Sequence, residues 1–332
     1  LHLSLRRQRQ MCIRDRSSSS DSKSPLEDLR HINTDAPEWF NNAFTVERRE
    51  GLVDCGGTKV HFFSWGNPSN PGIILMHGFM AHARCWAFIA PLLAENYHLA
   101  AFDLSGMGDS GWRESYTVLD RVDEAKAVAT HLGMTRQNKK PFLVCHSYGG
   151  SVGLTAAEKE AELWGGLVVC DMTMLAPDEI SDFESYRIKR QQRGVKPHRV
   201  SETLEAAKKR FRLAPEQPCE NRYLMEYMAY HSLKEVEKGW IWKFDPRILG
   251  PDEERSPDWW QSLSNRFADM ELPRAVIFGE HSQMFSSRAA KYIRLNSSDN
   301  IPMVQINNAY HHIMLDQPLA FSASIDAVLQ GF

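Results

Sequence analysis

From about residue 50 onward, short apolar or β-branched runs alternate with longer amphipathic stretches. The runs predict strands over 60–65, 72–76, 98–102, 142–145, 167–170, 275–278 and 303–306, the pattern of a parallel sheet covered by helices. Between the fifth and sixth of these strands the rhythm breaks for about a hundred residues. That stretch contains helical pieces over 202–211 and 221–233, the second with Leu224, Tyr227, Met228 and His231 at i, i+3, i+4 and i+7 spacing. The expected organisation is therefore a mostly parallel, doubly wound α/β core over 46–171 and 273–332. Residues 172–272 are expected to form a helical cap, or lid, over the carboxyl ends of the strands.

The segment 1–45 breaks the pattern and is expected to be disordered or artefactual. Residues 1–16 hold five Arg and one Asp and run into a serine tract at 17–20. Their Arg residues follow the only Leu-rich piece, whereas a signal peptide places an apolar stretch of about 7 to 15 residues after its basic start. The Met-Cys-Ile-Arg-Asp-Arg string at 11–16 resembles read-through of a sequencing adapter, although Arg- and Ser-rich composition also suits a transit peptide. Removal of residues up to about 30 is expected to leave folding intact, because no periodic apolar face is present to dock.

Composition narrows the partners. The chain of 332 residues has a net charge of −3, and setting aside the five Arg and one Asp of residues 1–16 leaves −7. No basic field exists to gather phosphates, so nucleic acid is not an expected partner. No apolar run approaches the roughly 18 to 20 residues needed to span a bilayer. The cysteines at 12, 55, 85, 145, 170 and 219 have neither metal-ligand nor disulfide-framework spacing, so no metal is expected and a reducing, cytoplasmic setting is.

Three stretches carry chemistry. Cys145-His146-Ser147-Tyr148-Gly149-Gly150 follows an apolar strand and precedes a helix-compatible stretch, the context of a nucleophile elbow. A sharp turn there lifts a hydroxyl off the sheet and aims the first helical N–H groups at a reacting carbonyl, making Ser147 the candidate nucleophile. Cys145 stands where the motif has Gly, which predicts looser packing of the following helix. His77-Gly78-Phe79-Met80 ends the second strand, so the backbone N–H groups of Phe79 and Tyr148 are the candidate oxyanion donors. His77 itself is expected to brace its loop. Tyr310-His311-His312 follows the last strand, where a neutral imidazole can take the serine proton and return it, and both histidines compete for that role.

With these motifs in order, the chain resembles the α/β-hydrolase superfamily from about residue 50 to its end. Asp103-Leu104-Ser105-Gly106-Met107-Gly108-Asp109-Ser110 adds the D-x-x-G-x-G-x-S motif, structural in relatives. The resemblance places the catalytic His seven residues before a Pro, which selects His311 before Pro318, and Tyr310 occupies a position where Gly is usual. It also implies an acid three residues past Gly279, where this chain has Ser282. Some relatives carry the acid at the end of the preceding strand, here Asp171, which is the expected acid, with Glu280 and Asp245 as alternatives.

Serine at the elbow implies acyl transfer to water, since relatives that attack a saturated carbon place Asp there. The expected function is a serine hydrolase acting on a carboxylic ester without a cofactor. A ligand-binding or receptor protein on the same fold is the alternative, or a carbon–carbon bond hydrolase or cofactor-free haloperoxidase. Aromatic residues of the cap, among them Phe183, Phe211, Tyr227, Trp242, Phe244 and Trp260, predict an apolar pocket for a small-molecule ester. Oligomeric state and the natural substrate are not encoded in any recognisable motif.

Overall fold

A computed structural model describes residues 24–136, 139–191, 195–250 and 257–332; the expectations for residues 1–23 lie outside these. The strands are β1 Arg49–Cys55, β2 Thr58–Trp65, β3 Gly72–Met76, β4 His98–Phe102, β5 Phe142–His146, β6 Gly166–Cys170, β7 Leu233–Val236, β8 Gly239–Trp242, β9 Arg274–Gly279 and β10 Met303–Ile306. The α-helices are α1 Glu38–Ala43, α2 Val118–His131, α3 Tyr148–Lys159, α4 Ile180–Gln191, α5 Leu204–Lys208, α6 Arg222–His231, α7 Pro257–Asp269, α8 Ser287–Asn296, α9 Ile313–Asp316 and α10 Pro318–Leu329.

Eight strands form one sheet in the order β1-β2-β4-β3-β5-β6-β9-β10. β2 runs antiparallel to both of its neighbours, and every pairing from β4 to β10 is parallel. Successive residues of a strand point to opposite faces, so a strand covered on both sides must be apolar throughout. β3 shows this: Ile73 and Leu75 enter one apolar cluster and Ile74 and Met76 the other, each fully buried. Burying such a side chain contributes about 1.5 to 3 kcal/mol, which is why five-residue strands suffice here. The sequence pattern missed β1, whose residues alternate between half-buried and exposed and which pairs only with β2 at the sheet edge.

The insertion between β6 and β9 differs from the expected helical cap in two ways. It includes the antiparallel hairpin β7–β8, with Leu233 opposite Trp242 and Val236 opposite Gly239. Its last helix, α7, packs on α3 and α8 and puts Leu263 and Phe267 into the apolar layer of the sheet. The middle of the insertion reaches loops at the carboxyl ends of the strands. Gly108 N–H donates to Lys243 O at 2.8 Å, Asp245 N–H to Gly106 O at 2.7 Å, and His312 N–H to Gln217 Oε1 at 2.9 Å.

The expected disorder of 1–45 does not hold for residues 25–45. Phe40 and Phe44 lie one helical turn apart and are buried against Phe88 and Tyr227. Asp28, in the turn Pro25–Leu29, receives Arg48 Nη1 at 2.6 Å and Arg84 Nη1, and its carbonyl pairs with His231 Nε2 at 3.0 Å. Two aromatic side chains and one buried carboxylate dock this segment without any long amphipathic period. No helix among the described residues is long and apolar enough to cross a membrane.

Candidate active site

β5 ends at His146 and α3 begins at Tyr148, leaving Ser147 alone to turn the chain, with φ 52° and ψ −119°. A non-glycine residue with positive φ is strained and persists only where its surroundings over-determine it. Here Ser147 N–H donates to Cys170 O at 2.9 Å, and Ser147 O accepts Gly150 N–H at 2.8 Å. The turn also needs a bare backbone next to it, because a Cβ on Gly149 would lie 2.8 Å from the His77 carbonyl oxygen. The looser helix expected from Cys145 is not found. A Cβ on Gly153 would sit 2.6 Å from Cys145 Sγ, so the helix, rather than the strand, supplies the missing side chain.

The loop after β10 brings His311 to this turn. Its carbonyl accepts His146 Nε2–H at 2.9 Å, and the two imidazole centroids are 4.8 Å apart. His311 Nδ1 lies 2.9 Å from Asp171 Oδ1, and Asp171 is fully buried at the end of β6. A carboxylate accepts only, so Nδ1 carries the proton and Nε2 is left as the basic nitrogen. Asp171 is itself held at φ 51°, with its N–H donating to Ile277 O at 2.8 Å and its Oδ2 accepting Gly279 N–H at 2.9 Å.

The remaining candidates stand elsewhere. Glu280 uses Oε2 to accept Asn308 N–H at 2.9 Å, and Asp245 is engaged by the Tyr116 hydroxyl at 2.6 Å and by Arg247. His312 packs beside His311 with ring centroids 5.0 Å apart, and burial pushes its pKa well down. Burial, with the neighbouring His311, likewise pushes His146 down to about 3. Both flanking imidazoles are therefore neutral. His77 accepts Leu104 N–H at Nε2, 3.0 Å, so its Nδ1–H donates to Gly78 O at 2.8 Å, and the ring ties two strand-end loops together.

The side chains of Phe79 and Tyr148, the expected oxyanion donors, meet edge to face with ring centroids 5.5 Å apart. A Cβ on Gly78, the residue before Phe79, would lie 3.2 Å from Ser147 Cβ. A cavity of about 280 Å³ adjoins this turn, with Phe79, His146 and Met314 from the core and Phe211, Trp242 and Phe244 from the insertion in its walls. Other expected pocket aromatics serve packing: Tyr227 is buried against Phe40 and Phe44, and Phe183 packs on Trp260.

His61, Asp103 and Asp109 offer ligand atoms within 4.8 Å of one another. Asp103, however, is spent on internal bonds, accepting Ala83 N–H at 2.6 Å and Asp109 N–H at 2.9 Å and pairing with His61 Nδ1 at 2.8 Å. Asp109 pairs with Lys243. This group shapes the loop after β4.

Sequence reasoning missed two residues. Ser282 donates its hydroxyl to Asp171 Oδ1. Gln217, in the insertion, holds the His311 loop at both ends, accepting His312 N–H and donating to Asp316 Oδ2 at 2.9 Å. Ser282 had a positional signal, three residues past Gly279; Gln217 had none.

A family model described as alpha/beta hydrolase family matches residues 73–324. Among curated relatives, the monoacylglycerol lipase ABHD6 of Rattus norvegicus is 24% identical over 266 residues, covering 76% of this chain and 74% of its own. Of solved structures, E-2-(acetamidomethylene)succinate hydrolase superposes with a TM-score of 0.70 at 20% identity, covering 86% of this chain and 100% of its own. An esterase from Mycobacterium tuberculosis superposes with a TM-score of 0.65 at 18% identity, covering 95% and 99%.

Proposed function

Because the chain belongs to the alpha/beta hydrolase family, we propose that it hydrolyses carboxylic esters through an acyl-enzyme formed on Ser147. The protein is a hydrolase; the ester bond, the serine chemistry and the residue roles are this reading. The observation that carries it is the 2.9 Å bond from His311 Nδ1 to the buried Asp171, at the turn that presents Ser147. His311 Nε2 takes the Ser147 proton as Oγ attacks the ester carbonyl. Negative charge develops on the carbonyl oxygen and is met by the N–H groups of Phe79 and Tyr148, the latter at the start of α3. Asp171 stabilises the imidazolium, which then protonates the departing alcohol. Water, deprotonated by His311, releases the acid by the reverse sequence.

The insertion acts as the lid, and the cavity beneath Phe211, Trp242 and Phe244 receives the apolar part of the ester. The name of the rat relative, a monoacylglycerol lipase, supports an ester with a hydrocarbon acyl chain. A cytoplasmic setting is supported by free thiols at all five described cysteines, three of them buried.

The test is turnover of p-nitrophenyl esters of graded acyl length, together with labelling by a fluorophosphonate probe. Ser147→Ala should abolish both while leaving the melting temperature near that of the parent. Unlabelled parent protein without turnover would overturn the reading in favour of a binding protein. More than about a hundredth of the parent rate in the variant would remove Ser147 from the nucleophile's role.

A further inference from the structure

The carboxylate that holds His311 has a second side-chain donor beside it, the hydroxyl of Ser282. Ser282 lies in the turn after β9, with its N–H donating to Gly279 O at 3.1 Å. Its Oγ accepts two backbone N–H groups, from Met284 at 3.0 Å and Phe285 at 3.2 Å. A hydroxyl has two acceptor sites and one proton. With both acceptor sites occupied, the proton is directed at Asp171 Oδ1, the same oxygen that receives His311 Nδ1–H. The supporting backbone is fixed from both sides. Asp171 N–H donates to Ile277 O at 2.8 Å, and Met174 and Phe285 form a parallel bridge between the two loops.

We infer that Ser282 is a positioning residue for the Asp171–His311 pair. The inference rests on the acid–base reading of the preceding subsection. Ser282 fixes the rotamer of Asp171 so that one oxygen faces the imidazole while the other is held by Gly279 N–H.

Four variants test this: Ser147→Ala, Ser282→Ala, Asp171→Asn and Asp171→Asn with Ser282→Ala, each checked for folding by thermal melting. Ser282→Ala is expected to lower kcat on a p-nitrophenyl ester about tenfold with KM unchanged, since a charge-assisted hydrogen bond is lost away from the substrate. Asp171→Asn is expected to lose about a thousandfold or more, and adding Ser282→Ala should cost less than about twofold further, because Ser282 acts through Asp171. An unchanged kcat in Ser282→Ala overturns the positioning role. A further loss of about tenfold in the folded double variant also overturns it, and if the double variant does not fold, Ser282→Ala decides. Turnover surviving in Ser147→Ala would instead mark failure of the underlying mechanism.

Discussion

Replacing Asp171 by Asn changes no shape and one atom, at a site where both carboxylate oxygens have assigned donors. The carboxylate is fully buried and receives three donors: Gly279 N–H on Oδ2, and the Ser282 hydroxyl and His311 Nδ1–H on Oδ1. An amide must set its NH₂ against one of these groups. If the NH₂ takes the place of Oδ2, it opposes Gly279 N–H, and an unsatisfied buried donor costs about 1–3 kcal/mol of stability. His311 then keeps its tautomer but loses the negative charge that stabilises its imidazolium. If the NH₂ takes the place of Oδ1, His311 must accept at Nδ1 and carry its proton on Nε2, where it cannot deprotonate Ser147. Both arrangements lower the rate, on the order of a thousandfold or more, equivalent to about 4 kcal/mol of transition-state stabilisation. Steady-state hydrolysis of a p-nitrophenyl ester, read beside thermal melting, separates the two losses. The expected result is a large fall in kcat, KM near that of the parent, and a melting temperature reduced but still well above the assay temperature. Near-parental kcat in Asp171→Asn, together with an inactive Glu280→Gln, would refute the reasoning and move the acid to the loop after β9.

Two further outcomes follow from buried charge. Asp28→Ala, or truncation through residue 30, leaves Arg48 and Arg84 without their shared carboxylate; loss of one partner of such a buried pair costs about 3–5 kcal/mol, so a melting temperature unchanged by either would contradict the docking of this segment. Acid should destabilise the fold from about pH 6.5 downward. Burial lowers His82 and His146 to about 3 and His98 to about 4, so the unfolded chain binds protons first and stability is lost as pH falls below 6.5, by up to about 2 kcal/mol per imidazole at pH 5. Asp316, raised by burial to about 6, opposes this trend by shedding its charge in the same range, leaving a net loss of a few kcal/mol. Equal melting temperatures at pH 7 and pH 5 would contradict the assignment of these imidazoles as buried and neutral.

The strands of the sheet centre were legible because burial on both faces leaves an unbroken apolar run, and β3, β4 and β10 occupy the positions read for them. Where burial is one-sided or local, the pattern fades. β1 presents its residues half to solvent, and the β7–β8 hairpin is only four residues on each side of a turn. The dock of residues 25–45 depends on Asp28, Phe40 and Phe44, each of which finds its partner far along the chain. A local period carries no information about such contacts.

The site divides along the same line. The turn at Ser147, φ 52°, is built by its immediate neighbours: a strand ends before it, a helix starts after it and a bare Gly149 lies beneath the His77 carbonyl. These requirements lie within a few residues of one another, so the motif is written contiguously. The acid has a weaker requirement: an oxygen within hydrogen-bond reach of His311 Nδ1. β6 and β9 are neighbours in parallel register, with Cys170 opposite Ile277, so Asp171 and the turn that holds Ser282 emerge side by side at the same end of the sheet. Contiguous sequence cannot say which of the two strand ends meets the imidazole. In the proposed mechanism the acid is therefore assigned by the hydrogen bonds around His311, and the serine by the strain of its own backbone.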